Sequence, residues 1–136
     1  MKDIVPYTKD EKDLLEKTVG VDITDTIPNA RDHVAQFVVA KDMTWCGLDG
    51  KYTGWWKGGT ANGRGTWRMK SGWWRIDAVW MNGYMHGTGR KMLLIGNELL
   101  EGKWNNDRAE ENGSVKVYAK QTGKKIVRTL SKGERI

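Results

Sequence analysis

The chain has 136 residues and a formal net charge of +6, long enough for one self-supporting domain and basic enough to favour anionic partners without being a nucleic-acid signature. A single cysteine, Cys46, excludes an internal disulfide or a cysteine-based zinc site and suits a reducing, cytoplasmic setting. The longest apolar runs, Phe37-Val38-Val39-Ala40 and Met92-Leu93-Leu94-Ile95, fall far short of the ~20 residues that span a bilayer, and Met1-Lys2-Asp3 leads into polar residues rather than a signal-peptide core.

Residues 8 to 19 read as a short helix. Thr8 can cap it and Glu11 can reach back, a Thr-x-x-Glu capping box, with Leu14, Leu15 and Val19 turned inward and Gly20 as the stop. Residues 21 to 28 read as extended, because the ring of Pro28 forbids helix at Ile27. From Asn29 the spacing of Val34, Phe37 and Val38 predicts a second helix, with a strand through Gln36 to Ala40 as the close alternative. Met43 to Cys46 then reads as a strand, and Asp49-Gly50 as a turn.

Residues 52 to 104 carry a phrase repeated every 24 residues. The first copy holds Tyr52, Gly54, Trp56, Gly59, Gly63 and Gly65; the second holds Ile76, Ala78, Trp80, Gly83, His86, Gly87 and Gly89. The third keeps Gly102, Trp104 and Gly113, with Asp107 and Glu111 where turn glycines stood. A fixed period with fixed glycines marks one structural unit used repeatedly. Each unit alternates large and small at period two on either side of a Gly-bearing segment, which predicts a β-hairpin, and chained hairpins make a meander. Gly59, Gly63, Gly83 and Gly87 are expected to supply the positive backbone angles of the turns, and Gly54, Ala78 and Gly102 to leave room between aromatic rows.

The stretch Tyr52-Thr53-Gly54-Trp55-Trp56, continuing through Asn62-Gly63-Arg64-Gly65-Thr66-Trp67 to Gly72, resembles a MORN repeat (membrane occupation and recognition nexus). Met85-His86-Gly87-Thr88-Gly89 carries the His-Gly-x-Gly core of a second copy, which departs from the pattern at Ile76 and Ala78. The resemblance covers roughly residues 50 to 118 and leaves the first 45 untouched. It implies a scaffold or partner-binding role, since repeats of that family mediate protein contacts, self-association and, less generally, binding to acidic phospholipid.

After the repeats, Ser114 to Lys120 and Lys124 to Leu130 alternate as a final hairpin, and Ser131 to Ile136 reads as a frayed tail. The predicted architecture is α+β, mainly antiparallel β: an N-terminal helical and extended cap over residues 1–45, a MORN-like hairpin meander over 46–118, and a C-terminal hairpin strand and basic tail over 119–136.

Alternation divides the sheet into two faces. One collects Tyr52, Trp56, Trp67, Met69, Trp74, Ile76, Trp80, Leu93, Leu100, Trp104, Val115 and Val117. The other collects Trp55, Lys57, Arg64, Arg68, Lys70, Trp73, Arg75, Arg90, Lys103 and Lys116, relieved by Asp77 and Glu101. On one reading the aromatic face is core beneath the N-terminal helices and the basic face is solvated surface. On the other, Trp55, Lys57, Arg64, Arg68, Trp73, Arg75, Arg90 and Lys103 form a contact patch, because Trp and Arg dominate interface energetics. The partner classes rank as an acidic protein or self-association first, an anionic membrane second and nucleic acid third.

The catalytic inventory is thin, and no cofactor or metal is expected. His86 occupies the repeat core, His33 stands on the surface of a predicted helix, and Cys46 reads as a packing residue. Leu100-Glu101-Gly102-Lys103-Trp104 also resembles the Gly-x-Trp opening strand of lipocalin and avidin-like barrels, which would hold a small ligand, but too little chain follows it to close a barrel.

Overall fold

The computed structural model of the chain describes residues 5–18 and 35–135. One helix, α1 (Lys9–Thr18), precedes nine strands: β1 (Gln36–Trp45), β2 (Leu48–Lys57), β3 (Thr60–Met69), β4 (Trp74–Met81), β5 (Tyr84–Leu93), β6 (Glu98–Asn105), β7 (Arg108–Ala109), β8 (Val115–Ala119) and β9 (Ile126–Thr129). They form a single antiparallel sheet whose path runs β1 to β6 and on through β8 to β9, while β7 pairs with the far end of β6. The path is open at β1 and β9, so the described strands do not close into the alternative barrel.

The capping box at the start of α1 forms as its spacing predicts. The Thr8 amide donates to Glu11 Oε1 at 2.9 Å and the Glu11 amide donates to Thr8 Oγ1 at 3.2 Å. Leu14 and Leu15 are buried; Val19 and Gly20 lie outside the described residues. So do His33 and most of the second predicted helix, while its last part, Gln36 to Ala40, is strand. Phe37 stands opposite Trp55 of β2 and packs edge to face with its ring at 5.3 Å, a cross-strand contact that outweighs the helical spacing of Phe37 and Val38.

The tight turns repeat with the sequence. Gly58-Gly59, Asn82-Gly83 and Asn106-Asp107 all have left-handed angles at both central positions, φ between 49° and 84°, the geometry whose twist matches flanking strands. The worn third copy thus keeps its turn, through residues that tolerate positive φ, but its return strand β7 is only two residues long. The turn into the first repeat is Cys46-Gly47, not Asp49-Gly50, which sit within β2 opposite Thr44 and Met43. Gly50 serves packing instead: a Cβ there would collide with the indole of Trp67. Gly63 and Gly87 do have positive φ, 104° and 96°, but they lie in bulges where residues 62–64 face residue 55 and residues 86–88 face residue 79.

The register bears out the two faces. Tyr52, Trp67, Ile76, Lys91, Leu100 and Val117 stand side by side across six strands, next to a row of Gly54, Gly65, Ala78, Gly89, Gly102 and Val115. The small row makes space for the large one, since a Cβ on Gly65 would fall inside the phenol of Tyr52. Trp80 Nε1 donates to Gly65 O and Trp104 Nε1 to Gly89 O, both at 3.0 Å, so the repeat writes the same indole bond twice. Trp56 and Trp80 belong to one buried cluster, as the common face requires.

No described helix covers that aromatic face; the sheet curls over it. Trp45 of β1 donates its indole N–H to Asp107, in the β6–β7 turn, at 3.1 Å, and Asp107 also accepts the Met85 amide at 2.7 Å. Cys46 lies exposed beside this junction, its Sγ 3.7 Å from Asp107 Oδ2, instead of packing as a small apolar residue. The tail does not fray within the described residues. Leu130 is buried, Ala109 donates to Glu134 O at 2.9 Å and receives the Gly133 amide at 2.9 Å.

Lys91 is the member of the aromatic face that residue type conceals. Its ammonium lies 4.6 Å and 4.4 Å from the ring centroids of Trp45 and Trp74, and it is 1% exposed. Burial pulls its pKa from 10.5 down to about 8, against the opposing pull of Cys46 and Asp107. Below the folded value both states carry the proton, and the burial penalty is fully present. Between about 8 and 10.5 the unfolded chain holds the proton more tightly, so stability rises with pH through this window. Wild type is expected to gain about 3 kcal/mol relative to Lys91→Met over that range, read from denaturant midpoints at both ends. Parallel pH profiles for the two proteins would contradict the assignment.

Candidate functional site

The second face is built from the strand positions that alternate with the aromatic row. Lys51, Arg68, Arg75, Met92, Leu99 and Tyr118 stand in one register row, and Thr66, Asp77, Arg90, Glu101 and Lys116 in the next. Its first row is therefore cationic at the β3–β4 end and apolar at the β5–β8 end. Residues 5–18 match that division. Leu14 and Leu15 pack with Met92 and Leu99, bordered by Tyr7, Leu94 and Tyr118, while Glu11 meets the arginines.

Arg75 is the centre of the polar half and is fully buried. Its Nε donates to Asp77 Oδ2 at 3.0 Å, Nη1 to Glu11 Oε1 and Pro6 O, both at 2.9 Å, and Nη2 to Asp77 Oδ1 and Val5 O. All five guanidinium N–H donors thus have an acceptor, and the Tyr7 ring covers the group at 4.0 Å. Arg68 reaches Glu11 through Nε at 3.0 Å and Nη2 at 2.8 Å, with a further bond to Pro6 O at 2.8 Å. Arg90 pairs with Glu101 at 2.9 Å and with the Tyr7 hydroxyl at 3.3 Å, and Thr66 donates to Asp77. Three guanidinium groups face three carboxylates, so the centre of the face is internally neutralised. Satisfied in this way, the pairs contribute direction more than net stability, because desolvation cancels much of the attraction.

This placement corrects the expected solvated face. The helix covers the arginine side, and the aromatic side closes on itself. Of the candidate contact residues, Arg68, Arg75 and Arg90 are brought together beneath residues 5–18, and Arg64 is buried as well. Trp55 is half-buried against Phe37, Trp73 is 50% exposed, and Lys57 and Lys103 are exposed. The Thr-x-x-Glu spacing marks Glu11 for capping alone. Its position three and four residues before Leu14 and Leu15 also puts it on their face, a signal that could have marked it as buried.

Burial pushes the Glu11 carboxyl up, but hydrogen bonds from Arg68, the charge of Arg75 and the Thr8 amide outweigh it and hold the group below 4.5. In Arg75 burial opposes the charged form, and Asp77 and Glu11 overcome it. A depressed carboxylate contributes stability that is present above its unfolded value and lost as pH falls through the folded one. The stability advantage of wild type over Glu11→Gln is therefore expected at neutral pH and should vanish as pH drops below 4.5, followed by the methyl resonances of Leu14 and Leu15. An advantage unchanged at acid pH would show that the charge on Glu11 does not hold the helix.

Fold and site together define an open, curled antiparallel repeat sheet that carries a helix of its own on its outer face. No protein-family model matches the chain, and no curated protein is found to match it. Among the described residues no helix is long and apolar enough to cross a membrane.

Proposed function

We propose that the chain is a non-catalytic binding module, a MORN-like hairpin sheet that takes an acidic protein partner on its arginine and tryptophan face. The observation that carries this reading is the Glu11 fork: Arg68 and Arg75 already grip one helix-borne carboxylate there. Arg paired bidentately is the strong form of carboxylate recognition. Trp73, Trp55, Lys57 and Lys103 stay at or near the surface and supply aromatic and cationic contacts at the rim. The MORN likeness gains support from the 24-residue return of turn, bulge and indole bond. A flat anionic membrane is less favoured, since it needs protruding cations, whereas Arg68 and Arg75 meet a carboxylate carried on a helix that lies along the face.

The test is affinity capture from cell extract by wild type and by a Trp55→Ala/Trp73→Ala variant. A partner that is acidic, elutes when salt is raised and is captured on the order of tenfold less by the variant supports the reading. Capture indifferent to both salt and substitution overturns it.

A further inference from the structure

The geometry points to α1 as an occupant that another helix can replace: the outer face is a receptor for an acidic amphipathic helix, and residues 5–18 fill it in cis. Three observations lead there. The aromatic cluster that holds the sheet together contains no residue of α1, so the strands keep their core when the helix leaves. The apolar seat under the helix is small, Leu14 and Leu15 on Met92 and Leu99. Arg68 and Arg75 hold the segment through the Val5 and Pro6 carbonyls, the Tyr7 ring and the Glu11 carboxylate, groups that any helix with the same lead-in can present.

The receptor's chemistry defines the ligand. It carries a glutamate at the third position of a capping box, where the carboxylate also favours the helix N-terminus, and leucines three and four positions later, as Glu11, Leu14 and Leu15 do. The outward side of such a helix is free in sequence; in α1 it is charged, and its Asp13 pair with Lys120 is solvated and adds little. An incoming partner helix competes with α1, so the tethered segment sets a threshold for binding.

This inference rests on the binding-module reading but is tested apart from it, because the probe is the chain's own segment and no extract is involved. Full-length Glu11→Lys is titrated with a fluorescent synthetic peptide of residues 1–18, read by anisotropy. Charge reversal against Arg68 and Arg75 undocks α1, so the variant should bind the peptide on the order of tenfold more tightly than wild type does. The same peptide carrying Glu11→Gln should bind the variant on the order of tenfold more weakly, and raised salt should weaken binding too. Equal binding by wild type and variant, or indifference to the peptide's Glu11, overturns the inference. Near-UV circular dichroism of the tryptophans reports the sheet, and full-length Leu14→Ser/Leu15→Ser is the second undocked form. If both variants lose the tryptophan signal, α1 is an inseparable part of the fold and the inference falls.

Discussion

Arg75→Ala is expected to release α1 while leaving the sheet folded. The substitution withdraws all five guanidinium N–H donors and leaves the Glu11 and Asp77 carboxylates, both nearly inaccessible, without the cation between them. Breaking a buried ion cluster by removing one partner costs about 3–5 kcal/mol while the remaining charges stay buried. The seat of Leu14 and Leu15 offers a comparable gross gain, roughly 1.5–3 kcal/mol for each leucine. The least costly escape is to let the helix go, which returns both carboxylates to water. Amide exchange in residues 9–18 should therefore accelerate by about two decades, the equivalent of about 3 kcal/mol, with β3 to β6 still protected. Loss of protection in helix and strands together would show that they unfold as one unit.

Trp67→Ala should have the opposite distribution, unfolding the sheet itself. Trp67 is fully buried, packs against Trp45 at 5.5 Å, lies over Gly50 and donates its indole N–H to Met43 O at 2.9 Å. Removing such a ring costs about 3–5 kcal/mol through lost transfer energy and the cavity left behind, a large part of the 5–15 kcal/mol typical of a domain. Trp73→Ala, in the β3–β4 connection and half-exposed, should change the denaturant midpoint by the equivalent of no more than about 0.5 kcal/mol. Equal losses from the two substitutions would refute the division of faces, because it places one ring inside the curl and the other at its edge.

Much of the local order was legible because it depends on neighbours in the chain. The Thr8–Glu11 box needs residues three apart, and the hairpin alternation needs only period two. Helical spacing around Phe37 misled, because a strand partner at Trp55 decided the outcome. Gly50 misled for a related reason: its want of a side chain answers to Trp67, on the next strand, and not to a turn.

The sequence by itself determined the repeat, the turns at Gly59 and Gly83 and the sorting of rings and cations to opposite faces, all consequences of backbone geometry at fixed spacing. Only the tertiary structure decided which face would be covered and by what. Glu11 meets Arg75 across 64 residues of chain, Trp45 meets Asp107 across 62, and Lys91 enters the aromatic side between two indoles. Such pairings depend on how far the sheet curls and where the helix lands. Those are set by the summed burial and charge balance of many distant groups, which no local spacing encodes.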